Sequence, residues 1–154
     1  MQEPCEANAW QTGHVELLRS NLKHWTGCGL MEECDALAAA RQLYFAPFAL
    51  LSHGLEDDPV INYANRTAQL LFEMDWAEFV KLPSRLSAEA VLQQERDMLL
   101  KRVSQNGYID DYSGVRISKT GKRFLIDHAS VWNLLDDQGK YAGQAAMFSI
   151  WHHL

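Results

Sequence analysis

The amino-acid sequence predicts an α+β fold: a five-stranded antiparallel sheet with helices on one face, preceded by a helical hairpin. Three observations carry the prediction. Apolar residues recur at spacings of three and four up to residue 45, then give way to short strand-like runs. Two strand segments, a block of helical segments and three more strand segments follow in that order. Such an order most simply closes one antiparallel sheet covered by helices. The last three strands are joined by two polar turns with glycine, Lys119-Thr120-Gly121-Lys122 and Asp136-Asp137-Gln138-Gly139-Lys140, and so form a meander.

Taken in order, residues 1–12 read as a flexible tail. Residues 13–46 read as the helical hairpin, and residues 47–154 as the sheet domain. Val15, Leu18, Leu22 and Trp25 form one helical stripe, broken by Gly27-Cys28-Gly29. Leu30, Cys34, Leu37, Ala38, Arg41 and Phe45 form a second, which Pro47 ends, because proline disfavours helix in the residue before it. "PFALLSHG" is a short strand closed by Gly54, and residues 59–64 are a second. Asn65 caps the helix "RTAQLLFE", its side chain taking a free amide of the first turn. Trp76, Phe79, Val80 and Leu82 belong to irregular turns. A long helix is expected from Ser87, with Glu89 in its first turn and Asn106-Gly107 as its stop. Leu92, Leu99 and Val103 form its apolar stripe, with Arg96 on the same stripe. Strands over residues 108–118, 123–135 and 141–151 complete the sheet.

Composition narrows the function. The chain has 154 residues, 47% of them hydrophobic, and a net charge of −6. A chain of this size buries roughly two thirds of its unfolded surface, enough for a core without staples. The acidic balance argues against a nucleic-acid backbone binder, which needs clustered Lys and Arg. No apolar run approaches the ~20 residues of a membrane helix. The N-terminus lacks a basic region followed by an apolar stretch, so the cytoplasm is the expected compartment. Cys5, Cys28 and Cys34 are odd in number and all precede residue 35. They read as free thiols, since His24, Cys28 and Cys34 lack the second half of a metal site.

"PVINYANRTAQLLFE" and "DDQGKYAGQAAMF", with the order of elements, resemble a PAS domain. "FALLSHG", "LPSRLSAE", "GYIDDYSGVRIS", "SVWNLLDDQG" and "GQAAMFSIW" narrow the resemblance to the MEKHLA domain family in its bacterial stand-alone form. The resemblance spans roughly residues 15–154. The same PAS-related module occurs at the C-terminus of plant homeodomain-leucine zipper proteins, but neither a homeodomain nor a zipper heptad is visible here. The resemblance implies a PAS-like fold and a sensory or regulatory role, and brings no catalytic or cofactor residues with it.

PAS-like domains hold ligands between the sheet and the central helices, and each known cofactor makes a checkable demand. A LOV-type flavin adduct, or a covalent chromophore, needs a cysteine in the helical block, and residues 65–106 contain none. Haem needs an axial histidine. Residues 88–105 have none, which leaves His53 and His128 and makes haem not expected. Trp76, Trp132, Tyr63 and Tyr112 are available to stack on a non-covalent flavin. The preferred ligand is a small organic anion, because Arg85, Arg96 and Arg116 are placed to offer guanidinium forks to a carboxylate. Arg116 shares a strand face with Tyr112. The alternative for each arginine is a stem laid along the core and a head paired with an acid such as Glu73 or Asp110.

Even-numbered residues from Phe124 to Leu134 fall on one strand face: Phe124, Ile126, His128, Ser130, Trp132 and Leu134. Apolar ends around a polar middle suit a pocket lining, while a lone buried histidine also suits a core with internal hydrogen bonds. Gln144, among Ala142, Ala146 and Phe148, meets the same two readings. The expected ligand-binding set is therefore Tyr63, Arg85, Arg96, Tyr112, Arg116, His128, Trp132 and Gln144. An enzyme is the lesser alternative, with His128 as a base oriented by Asp110 or Asp111. A ligand-free interaction module is the other. The stripes of residues 14–45 exceed what one sheet face needs, which predicts a homodimer through them. With no attached output domain in the sequence, a signal would pass to a protein partner in trans.

Overall fold

The structure, a computed structural model, describes residues 1–88 and 93–154, the side chains of Gln93 and Arg96 excepted. Helix α1 (Thr12–Thr26) ends at Gly27, whose φ of 76° lets its amide reach the Lys23 carbonyl at 2.8 Å. Helix α2 (Ala36–Tyr44) starts later than its apolar stripe suggests. Asp35 is extended and accepts a hydrogen bond from the Ala38 amide at 2.9 Å, so the cap sits there and Leu30 and Cys34 lie in the preceding loop. The first residues make contacts with the rest of the chain. Glu6–Gln11 form a 3-10 turn, the Trp10 ring packs 5.9 Å from Tyr44, and the Trp76 indole donates to the Met1 carbonyl at 3.2 Å.

Strands β1 (Ala49–His53) and β2 (Ile61–Ala64) precede helices α3 (Arg66–Phe72) and α4 (Trp76–Phe79). A 3-10 turn, Ser84–Ser87, leads to an extended Ala88, so the expected helix start at Ser87 is not seen there. Glu89 and Leu92 lie outside the described residues. Helix α5 (Gln93–Asn106) ends at Gly107, as anticipated. Then follow β3 (Tyr108–Ile117), β4 (Arg123–Leu135), β5 (Tyr141–Phe148) and β6 (Ile150–His153). The sheet is antiparallel throughout, in the order β2-β1-β5-β4-β3. Its expected last strand divides at Ser149: β5 pairs with the second half of β4, and β6 with the first. Among the described residues no helix is long and apolar enough to cross a membrane.

That division belongs to a line of irregularities across the sheet. The β3–β4 register shifts between Ile109 and Tyr112 and again between Tyr112 and Gly114, and His128 on β4 has a φ of 53°. An extra residue in a strand reverses the side on which every later side chain falls. Phe124 and Ile126 therefore share a core with Ala129 and Val131, while Trp132 and Leu134 join the core on the opposite side. The expected common face of even residues does not exist. His128 itself is neither core nor pocket. Its side chain is 72% exposed, with Nδ1 2.9 Å from Asp127 Oδ1. Histidine is one of the non-glycine residues that enter the left-handed region more readily, which suits the bulge.

The sheet is covered on both faces. Helices α3 and α5 pack on the inner face through Ala68, Phe72, Leu99 and Val103. Helices α1 and α2 pack on the outer face through Val15, Leu18, Leu22, Ala40 and Leu43 against Leu50, Trp132, Leu134 and Ala145. The N-terminal stripes are thus largely spent on this chain's own sheet. Polar contacts fix the placement. Asn21 exchanges two hydrogen bonds with the Leu135 backbone at 3.0 Å, and the Trp132 indole donates to the Leu18 carbonyl at 3.1 Å.

His14 is half-buried in this outer interface, with Nε2 2.9 Å from Ser52 Oγ and its ring stacked 5.6 Å from Tyr63. Burial lowers its pKa from 6.5 to about 4, because the imidazolium would lose its hydration. Between those values the unfolded chain binds the extra proton. Stability from this group is complete above pH 6.5 and is lost as pH falls towards 4. The expected loss is on the order of 3 kcal/mol. Denaturant titrations at pH 7 and pH 4 check it: His14→Gln should lose less stability over that range than the parent chain.

Candidate functional site

Between the inner sheet face and the helices lies a cavity of about 80 Å³. Its wall is mostly apolar. Phe72 comes from α3, Leu99 from α5, Ile126 and Val131 from β4, and Ala146 and Phe148 from β5. The residues flanking the bulge open this space, since Ile126 and Ala129 both face inward around the outward-turned His128.

Few polar side chains enter this apolar space, a pattern that suits a ligand site. Arg116, 9% exposed, projects from β3 and lays its guanidinium 5.3 Å from the Tyr112 ring centre, with Nη1 donating to the Val115 carbonyl at 3.0 Å. Tyr112, 7% exposed, has a buried hydroxyl with no hydrogen-bond partner among the described residues. Gln144, 3% exposed, donates from Nε2 to Asn133 Oδ1 at 2.9 Å, and its Oε1 is likewise buried without a partner. His53 Nδ1 stands 3.1 Å from the Gly54 carbonyl oxygen, and Ser87 Oγ donates to the Ser84 carbonyl at 2.8 Å. Both border the cavity.

Tyr112, Arg116 and Gln144 are thus brought to one cavity, and the other expected site residues whose side chains are described are not. Arg85 is on the surface, its Nε 3.1 Å from both carboxylate oxygens of Asp58, so the simple ion-pair reading holds for it with a different acid. Glu73 is engaged elsewhere, accepting from Ser118 at 2.7 Å and from Thr120 and pairing with Lys122 at 3.1 Å. Three hydrogen bonds and that lysine hold its carboxyl well below the usual range, at about 2. Tyr63 lies in the outer core against His14 and, edge to face, Trp76; burial raises its phenol pKa. Trp132 is buried in the same outer core, because the bulge at His128 turned it there. Arg96 lies on α5, and its side chain lies outside the described residues. His128 makes no hydrogen bond or ion pair with Asp110 or Asp111 among the described residues; Asp111 pairs instead with Arg102 at 3.3 Å.

Sequence reasoning missed Phe72 and Ser87 as wall residues and raised His53 only as a haem ligand. His53 was within reach: Ala49, Leu51 and His53 alternate on β1 and share its inner side. The sequence instead suggests Ser87 as the start of a long helix. Cys5, Cys28 and Cys34 are all exposed and none borders the cavity. Among the described residues no group of three or more His, Cys, Asp or Glu side chains is arranged to hold a metal ion.

Comparison with known proteins follows the same lines. The PAS domain of a protein from Colwellia psychrerythraea superposes with a TM-score of 0.62 at 11% identity, over 76% of this chain and 94% of that one. An RNA-binding light-oxygen-voltage receptor gives 0.62 at 14% identity, over 71% of this chain and 31% of that longer one. The light-state dimer of the fungal blue-light photoreceptor Vivid gives 0.60 at 13% identity, over 89% and 91%. At such identities these are likenesses of fold. No protein of curated function matches the chain. A match to the MEKHLA domain runs over residues 12–153, from the first turn of α1 to the last residue of β6, and the chain therefore belongs to the MEKHLA family, a PAS-related domain.

Proposed function

We propose that the protein is a sensory module that takes a small organic molecule into the cavity between sheet and helices and passes the change to a protein partner. The observation that carries this is chemical. Three buried side chains, Tyr112, Arg116 and Gln144, hold hydrogen-bonding capacity that no described residue uses, and all three face one apolar space. Buried polar groups in a finished core are ordinarily paired, so unmet capacity around a cavity points to an occupant.

The light-responsive neighbours raise the question of flavin. The cavity here has no cysteine in its wall, so adduct chemistry of the kind that needs one does not fit these residues. Its volume of about 80 Å³ is also small for a tricyclic ring. Haem meets the same limit of space, although His53 borders the cavity.

Output runs through protein contact in this reading. Vivid forms a light-state dimer on this fold. Here Leu37 on α2 and Phe45 after it stay exposed on the helical cover, and a second copy docked through residues 14–45 would bury them. A ligand-free interaction module is the competing reading, and the modest cavity volume favours it. One experiment separates them. Native mass spectrometry of the purified chain, with an absorption spectrum, is expected to show a bound mass below a few hundred daltons that is lost on denaturation, and a dimer of the 17.6 kDa chain. An empty monomer at micromolar concentration, unmoved by any small-molecule panel in thermal shift, would sink both parts.

A further inference from the structure

This inference rests on the cavity being the binding site and concerns the chemistry of its occupant. Arg116 presents five N–H donors and no acceptor, and its charge is permanent. Its one hydrogen bond to a described residue goes to the Val115 carbonyl, and no carboxylate among the described residues stands within ion-pair distance. A guanidinium nine-tenths withdrawn from water needs an opposing charge, and the face of Tyr112 supplies only part of that need. The Tyr112 hydroxyl is a second unused donor in the same wall. Gly114 makes room for it: a Cβ there would stand 2.1 Å from that hydroxyl oxygen. Two kinds of donor, a planar fork and a phenol, therefore converge without a protein acceptor between them. A carboxylate matches the fork with two parallel hydrogen bonds.

The surroundings limit the rest of the molecule. Phe72, Leu99 and Ile126 offer only apolar surface. At the far end, Gln144 lies opposite Asn133 near one end of β4, whereas Arg116 lies opposite Phe124 near the other. The free atom there is the Gln144 carbonyl oxygen, which repels a second anion and accepts a donor. The space of about 80 Å³ is roughly half the ~150 Å³ of an engineered cavity that takes benzene. We infer that the cavity binds a short-chain monocarboxylic acid, its carboxylate held by Arg116 and the Tyr112 hydroxyl and its apolar body lying against Phe72, Leu99 and Ile126.

Calorimetric titration of the full chain with butanoate, hexanoate, the two corresponding amides and succinate tests this. Saturable binding of at least one monocarboxylate is expected, with its amide at least about tenfold weaker, as fits the loss of charge-assisted bonds, and succinate weaker by a similar factor because its second carboxylate would be buried without a donor. Arg116→Gln, with its fold checked by circular dichroism and cooperative melting, should lose at least about tenfold in affinity, and Arg116→Lys should lose less. Should Arg116→Gln not fold, the acid-against-amide comparison on the unaltered chain still decides. Equal affinity for acid and amide overturns the inference. So does a different occupant, such as a flavin, found by native mass spectrometry with no monocarboxylate binding; the cavity then remains a binding site and only its ligand class is wrong. An empty protein that binds none of the probes overturns both.

Discussion

Gly143→Ala is expected to cost about 3–5 kcal/mol, enough to remove most of the stability of a domain this size. Gly143 sits on β5 at a φ of 135°, a backbone conformation that residues with a Cβ rarely adopt. A Cβ there would stand 2.2 Å from the His53 carbonyl oxygen and 3.4 Å from the Gly54 Cα. The clashing His53 carbonyl is backbone, so no side chain can swing aside. The two strands concerned, β1 and β5, form the middle of the sheet, and prising them apart also disturbs His53 and Gln144 at the cavity. Gly139→Ala is the matched control. Gly139 also has a positive φ, 77°, but nothing lies within 4 Å of its added Cβ. It should cost only about 1–2 kcal/mol of conformational strain. Denaturant unfolding of the two variants separates clash from strain. Equal losses would mean that the β1–β5 approach is looser than the structure has it.

Asn65→Asp is expected to be comparably severe. Asn65 is fully buried, and all four of its side-chain hydrogen bonds are made. Oδ1 accepts from the Leu50 and Ala68 amides at 3.1 Å each, and Nδ2 donates to the Leu43 and Phe48 carbonyls at 2.9 Å each. One side chain thus caps α3, closes β1 and holds the end of α2. A carboxylate keeps the two acceptor contacts but turns an oxygen towards two carbonyls, and it buries a charge without a counter-ion. The expected loss at pH 7 is about 3–5 kcal/mol, against about 2–4 for Asn65→Ala. The aspartate variant carries a pH signature. Its introduced carboxyl would have a raised pKa in the folded state, so the folded state binds the extra proton and the penalty shrinks as pH falls from 7 towards 5. Measured as the difference from the unaltered chain at each pH, the deficit should narrow. A deficit that stays constant or widens would mean that the site is open to water.

Asn65 illustrates what local sequence carries. An Asn before an amphipathic run specifies a cap, and the cap formed where it was expected. The fold class was legible for the same kind of reason: period-two strands, glycine turns and the order of elements are local or near-local signals. The additional duties of Asn65 at Leu43, Phe48 and Leu50 were not legible, because those carbonyls and amides reach it only after the chain folds back.

The candidate site divides in the same way. Tyr112 and Arg116 are four residues apart on one strand with no extra residue of β3 between them, so alternation placed them together correctly. Alternation failed across His128, where one residue at positive φ reverses the face of everything beyond it and sends Trp132 to the outer core. A period of two has no memory of such a slip. The warning, a polar Asp127-His128-Ala129-Ser130 in mid-strand, also fits a pocket lining.

Neighbouring residues along the chain were enough for most helices and strands, for the turns between the last three strands and for the family, but not for the 3-10 turn at Ser84–Ser87 or the break between β5 and β6. The folded chain adds which face each side chain of β4 takes, that the N-terminal helices cover this chain's own sheet, and that Arg116 lies buried beside an apolar cavity. Those outcomes depend on strand register and on contacts between residues far apart in the chain, and neither is written in any local pattern.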